Sequence, residues 1–165
     1  MIATAFDSDA PSDARRPVIR RDAGELEMVE LTWGLKPKEV GERPFRFVRS
    51  EGRTFESHRC LIPASEFHVK AGGRAFQFSL RSGDWFYLAG IWRPASGGWP
   101  ESFAIITVQA SAEVQRYQDR QGAILFRSQR MEWLDGSTPE AELFHPLPAG
   151  ELAVAEQRGR QGTLL

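Results

Sequence analysis

Hydrophobic and polar residues alternate along several segments of the chain, which predicts a fold built mainly from β-strands. Residues 74–80 are the clearest case, because their apolar side chains fall on one face and their polar ones on the other. Residues 85–91 and 103–108 are apolar at nearly every position, as expected of central strands covered on both faces. Between them, residues 82–84 have the composition of a turn.

The N-terminal part of the chain predicts a β-hairpin. Residues 17–21 and 25–33 have strand composition, and residues 22–24 form a tight turn between them. The apolar positions of the second strand change parity between Met28 and Val29. Because an unbroken strand keeps one parity on each face, we expect a β-bulge at this point.

Helix signals are few and short. Ser111 is a candidate N-cap for a helix that reaches Tyr117, and Ser128 is one for a helix over residues 129–134. Residues 138–140 supply a third N-cap, a proline at the first helical position and an acid in the first turn. The predicted fold class is therefore α+β and mostly β, a curled or barrel-like mixed sheet with a few short peripheral helices.

Length and composition bound the organisation of the protein. With 165 residues, of which 41% are hydrophobic and 26% charged, the chain has the composition of one globular domain. We expect residues 1–14 to form a loose N-terminal arm and residues 15–165 a single domain. No segment is apolar enough for a membrane span or a signal peptide, and one cysteine cannot form an internal disulfide. We therefore expect a cytoplasmic monomer without a membrane partner.

The basic residues suggest where a binding surface lies. The net charge of −1 excludes a uniformly basic nucleic-acid coat but leaves room for a local basic groove. Most of the 21 basic residues are arginines, whose planar guanidinium groups suit phosphates and can stack on bases. Residues 43–59 contain five arginines against two glutamates. A solvated surface explains this composition equally well.

The cysteine, the histidines and the glycines of the chain favour neither a metal site nor a cofactor site. Cys60, His58, His68 and His145 lack the short paired spacing of structural zinc sites, so we expect no metal. Cys60 lies in an apolar segment, where burial would raise the pKa of its thiol and leave it inert as a nucleophile. No glycine-rich phosphate loop is present, and we expect no cofactor.

A set of short motifs follows in a fixed order along most of the chain. They are Ala10-Pro11-Ser12, Pro17-Val18-Ile19-Arg20, Trp33-Gly34-Leu35-Lys36-Pro37, Val48-Arg49-Ser50-Glu51, Arg59-Cys60-Leu61-Ile62-Pro63-Ala64-Ser65-Glu66-Phe67, Ala89-Gly90-Ile91-Trp92, Ile105-Ile106-Thr107 and Asp119-Arg120. This ordered set resembles the SOS response-associated peptidase (SRAP) family, the abasic-site processing proteins of the DNA damage response. The resemblance extends roughly from Ala10 to Pro146.

The resemblance implies a mostly β domain with a positively charged groove for single-stranded DNA. It also implies covalent chemistry, in which a cysteine directly after the initiator methionine reacts through its amine and thiol with the opened abasic sugar. An asparagine, a glutamate and a histidine assist in the family. Such assistance is physically reasonable, because trapping an aldehyde requires nearby groups that move protons.

This chain departs from the family at each of those reactive positions. Ile2 stands at the place of the nucleophilic cysteine, Phe47 at that of the asparagine, Val69 at that of the glutamate and Gln118 at that of the histidine. Without a nucleophile, an acid or a base, we expect no covalent crosslinking and an inactive enzyme. Only nine residues precede Ala10, so either the start is misassigned or the family's N-terminal segment has been lost.

We therefore predict a noncovalent binder of single-stranded or damaged DNA. The predicted DNA-binding residues are Pro11, Trp33, Arg49, Ser50, Glu51, Arg53 and Arg59. The arginines would contact phosphates, Glu51 would orient Arg49 through an ion pair, and Trp33 would either stack on a base or close the core.

Two alternatives remain open. The protein could be an active peptidase-like crosslinking enzyme whose start is misplaced or whose chemistry is rebuilt around Cys60, Glu66 or His68. If residues 67–69 are extended, Glu66 and His68 point away from the side of Val69, so neither is a simple replacement for it. The groove could also have been repurposed for a protein or a small molecule.

Overall fold

The computed structural model describes residues 4–6 and 14–157, and within these residues the chain forms eleven strands, three short α-helices and one 3-10 turn. The strands are β1 (Thr4–Phe6), β2 (Arg15–Asp22), β3 (Glu25–Trp33), β4 (Phe47–Arg49), β5 (Arg59–Ala71), β6 (Arg74–Leu80), β7 (Phe86–Arg93), β8 (Ser102–Gln109), β9 (Arg120–Gly122), β10 (Ile124–Leu125) and β11 (Leu152–Gln157). The helices are α1 (Ala112–Gln115), α2 (Arg130–Asp135) and α3 (Glu140–Leu143), and the 3-10 turn is Arg127–Gln129. The predicted mostly β fold with a mixed sheet and short helices is confirmed.

Five strands close into a ring. Strand β5 pairs with both β2 and β7, so the order β5–β7–β8–β3–β2 returns to β5. Strands β3 and β4 run parallel to β8 along one of its edges, whereas β7 and β9 run antiparallel along the other. This arrangement places β4 and β9 on either side of the C-terminal half of β8, where the candidate site lies.

Two apolar clusters cover the two faces of β7, which explains why its sequence is apolar at almost every position. Phe86 and Leu88 pack inside the ring, together with residues from all five ring strands. Tyr87 and its alternating neighbours belong to a second cluster on the outer face. There α2 and α3 contribute Trp133 and Leu143 as cover. The prediction of central strands with two buried faces is therefore confirmed.

The hairpin is confirmed, but the predicted bulge is wrong. Strands β2 and β3 pair without a register shift from Arg15 to Asp22. The connecting residues Ala23 and Gly24 have φ of 51° and 83°, as a two-residue turn of the type I′ class requires. The apolar parity changes because Leu26 and Met28 are exposed near the hairpin end, not because the strand contains an extra residue.

The helices lie where the sequence indicates, with shifted ends. Ser111 precedes α1, but its hydroxyl accepts a hydrogen bond from the Leu147 amide at 2.9 Å and makes no cap bond. Ser128 lies inside the 3-10 turn, and α2 begins two residues later. Pro139 rather than Thr138 occupies the N-cap position of α3. No helix within the described residues is long and apolar enough to cross a membrane.

The predicted loose arm contains a strand. Residues 4–6 form β1, which pairs in parallel with β5 between Ala64 and Phe67. Of the expected arm over residues 1–14, the structure describes only residues 4–6 and 14, so the arm as a whole stays a prediction. Ile2 and Pro11 lie outside the described residues.

Candidate nucleic-acid interface

A pocket of about 550 Å³ opens at the end of the ring where β4, β5, β8 and β9 meet. We call it the main pocket. Its lining residues are Trp33, Phe47, Arg49, Phe67, His68, Leu88, Ile105, Thr107, Gln118, Asp119, Arg120, Gln121 and Gly122. The buried members are mostly apolar, whereas Arg49, Phe47, Gln118 and Asp119 are exposed. The main pocket therefore combines an apolar interior with a polar and aromatic mouth.

Gly122 keeps the interior of the main pocket open. A Cβ atom at this position would lie 2.9 Å from a methyl carbon of Leu88 and 3.3 Å from one of Ile105. Both distances are shorter than ordinary van der Waals contact, so a larger residue here would displace the two side chains.

The backbone of β4 determines which side chains reach the mouth. Its hydrogen-bonding register places Phe47 opposite Ile105 and Arg49 opposite Thr107. Side chains alternate along an extended segment, so Phe45, Phe47 and Arg49 share an exposed face while the residues between them are partly buried. Phe45 and Phe47 remain 44% and 46% exposed, which is unusual for large apolar side chains.

Two guanidinium groups of the main pocket have different roles. Arg120 donates to both carboxylate oxygens of Glu51 and also to the hydroxyl and carbonyl oxygens of Thr107. These hydrogen bonds lower the pKa of the Glu51 carboxyl. No hydrogen bond or ion pair from residues 14–157 occupies the exposed Arg49 guanidinium, whose charge acts on Glu51 at longer range. Arg49 is therefore free to meet an anion.

Trp33 forms the wall of the main pocket. Its side chain is 1% exposed, and its indole N–H donates to the Arg46 carbonyl at 3.1 Å. The ring lies parallel to Phe103 and edge-on to Phe47, at centroid distances of 6.5 and 5.6 Å. This burial favours the alternative that Trp33 closes the core, because a base cannot reach either face of the ring. The exposed aromatic ring at the mouth is that of Phe47.

Ser50 and Arg53 lie beside the main pocket, not in it. The Arg53 amide donates to the Ser50 carbonyl at 3.1 Å, which closes a turn after β4. Ser50, Glu51 and Arg53 line a separate depression of about 500 Å³ with Glu140 and Phe144, which we call the turn groove. Arg53 is exposed there, whereas Arg49 lines the main pocket.

Arg59 lines neither depression and has a structural role. Its guanidinium donates to the carbonyls of Phe55 and Trp133 at 2.7 and 3.4 Å and to the Glu140 carboxylate at 3.2 Å. It also lies 4.8 Å from the centre of the Trp133 ring. Arg59 thus connects β5 to α2 and α3, and we leave it out of the binding surface.

The positions at which the family resemblance expects reactive side chains do not all meet. Phe47 and Gln118 line the main pocket, and the Gln118 amide donates to the Arg120 carbonyl at 2.6 Å. Val69 is 1% exposed and belongs to the core, opposite Phe76 of β6. Val69 does not line the main pocket, and its side chain carries no carboxylate.

Glu66 and His68 lie on the opposite side of β5 from Val69, as the alternation predicts. His68 lines the main pocket, and its Nε2 atom lies 2.6 Å from the Glu66 carboxylate. The sequence pattern placed His68 away from Val69 but did not indicate that this side borders the pocket. That position depends on how β5 curves between β6 and β7.

Cys60 lies inside the ring and does not line the main pocket. It is fully buried, and burial raises the pKa of its thiol well above the ordinary value. The expectation of an inert cysteine agrees with this environment. Within residues 4–6 and 14–157, no three histidine, cysteine or acidic side chains come together as metal ligands.

Comparisons with known proteins identify one family and several structures. The model of the family described as "SOS response associated peptidase (SRAP)" matches residues 7–157. A solved structure from Bordetella bronchiseptica has a TM-score of 0.71 at 20% identity, covering 94% of this chain and 91% of its own. A protein from Bacteroides thetaiotaomicron has a TM-score of 0.67 at 20% identity, covering 92% and 77%.

A phage-related protein from Bordetella bronchiseptica also has a TM-score of 0.67, at 21% identity, with 90% of this chain and 80% of its own covered. The search of curated proteins found no match. Identities this low establish a shared fold and nothing beyond it.

Proposed function

Because the chain belongs to the SOS response associated peptidase family, we propose that it binds single-stranded or abasic DNA noncovalently at the main pocket. Family membership itself supports a DNA-damage-associated, peptidase-like function. The observation that carries the proposal is the position of Arg49, exposed at the pocket mouth beside Phe47 and without an ion pair in the described chain. We place this activity in the cytoplasm.

Each part of the mouth suits one part of a nucleotide. The Arg49 guanidinium matches the geometry of a phosphate, and the half-exposed ring of Phe47 offers a face on which a base can stack. The volume of about 550 Å³ lies within the range typical of small-molecule sites. An unstacked base or an opened sugar would fit against the apolar interior formed by Leu88 and Ile105.

The residues present favour binding without a covalent bond. Phe47 and Val69 do not titrate, and Gln118 has a neutral amide, so none of them can exchange a proton with a sugar aldehyde. Val69 is also buried in the core. The binding surface that remains consists of Arg49 and Phe47, with Arg53 on the adjoining turn.

A fluorescence anisotropy titration with a labelled single-stranded oligonucleotide tests the proposal. We expect binding that weakens with salt, with a slope that reports the number of phosphates contacted. Arg49→Ala should weaken binding about tenfold at low salt, since one charge-assisted contact is lost. Arg130→Ala is the matched control, because it removes the same charge from an exposed position. Arg130 lies on α2, which covers the outer face of the ring and does not line the main pocket.

Two results would contradict noncovalent DNA binding at this pocket. One is an absence of binding at low salt. The other is equal affinity of the wild type and Arg49→Ala, which would favour a groove used for a protein or a small molecule.

The second candidate function is residual proton-transfer chemistry at the main pocket. It rests on His68, which lines the pocket with the Glu66 carboxylate 2.6 Å from its ring nitrogen. An imidazole oriented by a carboxylate is a common general base. Incubation with an abasic oligonucleotide, followed by a denaturing gel, separates the two functions: an adduct or a cleaved strand that His68→Gln abolishes supports the enzyme, whereas unchanged substrate supports binding alone.

A further inference from the structure

A second aromatic depression lies at the other end of the segment that leads into β4. It has a volume of about 380 Å³, and we call it the Phe45 groove. Its lining residues include Leu35, Lys36, Phe45, Arg93 and Trp99. Phe45 lines this groove and Phe47 lines the main pocket, and both stand on the same exposed face of one extended segment.

The aromatic walls of the Phe45 groove are held in place by the backbone. The amide of Phe45 donates to the Leu35 carbonyl at 3.0 Å, and the Leu35 amide donates back at 2.8 Å. On the facing side, the Trp99 indole N–H donates to the Gly34 carbonyl at 3.1 Å, which orients its ring. The backbone that carries Phe45 and the indole ring of Trp99 are therefore fixed in place.

Two cations accompany the rings. Lys36 and Arg93 line the groove and are exposed to solvent. Arg93 donates to the carbonyl of its neighbour Trp92 through one of its five N–H groups, which leaves the others for an anion. A positively charged rim around aromatic rings is the combination that proteins use to hold single-stranded nucleic acid without sequence preference.

We propose that the Phe45 groove is a second nucleobase subsite, occupied by the same DNA strand that enters the main pocket. Two residues of extended backbone separate Phe45 from Phe47, a distance of about 6.6 Å that one or two nucleotides can span. The strand would pass from Arg49 across Phe47 to Phe45, with Lys36 and Arg93 contacting its phosphates. This inference rests on the proposed function and extends it to a strand several nucleotides long.

Oligothymidylates of two lengths, about 4 and about 12 nucleotides, test the subsite by fluorescence anisotropy, because such lengths bracket known single-strand site sizes. Phe45→Ala should weaken binding of the longer strand about 5- to 10-fold, which is the usual effect of losing one stacked base. Binding of the shorter strand should be weakened by a similar factor, because about 4 nucleotides already reach from Arg49 to Phe45. Met28→Ala is the matched control, since Met28 is similarly exposed but lies on the β2–β3 hairpin.

The salt dependence of binding by Lys36→Ala provides a second test, which does not depend on an aromatic residue. We expect it to reduce the salt slope for the longer strand by about 0.7, the value for one phosphate contact on a single strand. Equal binding of wild type and Phe45→Ala to either strand overturns the subsite. If Arg49→Ala still weakens binding in that case, only the subsite fails; if the wild type binds neither strand, the proposed function fails with it.

Discussion

Arg120 donates hydrogen bonds to both carboxylate oxygens of Glu51, at 3.0 and 2.8 Å. The same guanidinium donates to the carbonyl oxygen of Thr107 at 2.7 Å, so it joins the turn after β4 to β8 and β9. Glu51 follows Arg49 by two residues, and fixing Glu51 therefore fixes the direction in which the backbone carries Arg49 to the pocket mouth. Arg120 thus acts on the binding surface by positioning it.

The first prediction concerns the pH dependence of this ion pair. Hydrogen bonds from Arg120 lower the folded-state pKa of Glu51 from the ordinary value of 4.5. Such a group contributes stability above its unfolded pKa, and the contribution is lost as the pH falls through the lowered folded value. Because Glu51 is half exposed, we expect Glu51→Gln to cost only about 0.5–1 kcal/mol at neutral pH and almost nothing at acidic pH.

Urea unfolding curves of the wild type and Glu51→Gln, recorded near neutral pH and again below the folded pKa, measure this difference. Glu56→Gln serves as the control, because Glu56 is exposed and makes no ion pair among residues 14–157. A stability difference between the wild type and Glu51→Gln that stays constant with pH would show that the ion pair contributes nothing.

The second prediction separates the two arginines of the predicted surface by their effect on folding. Arg59→Ala should lower the free energy of unfolding by about 2–4 kcal/mol, because it removes the donor to the Phe55 carbonyl and the cationic partner of the partly buried Glu140. Arg53→Ala should change it by less than about 0.5 kcal/mol, since Arg53 is exposed. Urea unfolding followed by tryptophan fluorescence measures both, and equal stabilities would contradict the structural role of Arg59.

The third prediction concerns introducing the side chains that the family resemblance implies at positions 69 and 47. Val69→Glu should lower the free energy of unfolding by about 3 kcal/mol or more, because the carboxylate would enter the core at a position that is 1% exposed. Phe47→Asn should be tolerated better, at about 1 kcal/mol, since the ring is half exposed and mainly contacts Trp33. Thermal unfolding of both variants tests this order, and a Val69→Glu protein that melts with the wild type would refute it.

The fourth prediction addresses the cysteine. Burial raises the pKa of the Cys60 thiol, so the group stays protonated at neutral and mildly alkaline pH and is closed to reagents. We expect iodoacetamide to modify Cys60 in urea but not in the folded protein. Mass spectrometry after timed alkylation provides the measurement, and rapid modification of the folded chain would show that the ring opens at this point.

The pattern of hydrophobic and polar residues predicted those strands and turns that depend only on one short segment of the chain. The alternation of residues 74–80 predicted β6 with its buried apolar face, and the turn at residues 22–24 predicted the first hairpin. The bulge at Met28 failed for a related reason. Alternation indicates which residues share a face, but it does not reveal whether that face is covered, and the far end of this hairpin is not.

The candidate site was only partly predictable. Arg49 was identified from its motif, but Trp33, Arg53 and Arg59 have different environments that no local pattern distinguishes. The exposed face of Phe45 and Phe47 was missed, although its signal, two aromatic residues alternating toward an arginine, is visible in the sequence. An alternating pattern of this kind normally indicates a buried face, so exposure becomes evident only from the fold.

The sequence by itself determined the family and the dominance of strands, because each is a property of residue identity or of neighbours along the chain. Tertiary structure alone decided which arginine meets solvent at the main pocket and which one holds α2 and α3 against β5. It also brought His68 to the pocket wall and turned Val69 into the core. These outcomes depend on pairings between strands distant in sequence, and the contacts that select them form only when the ring closes.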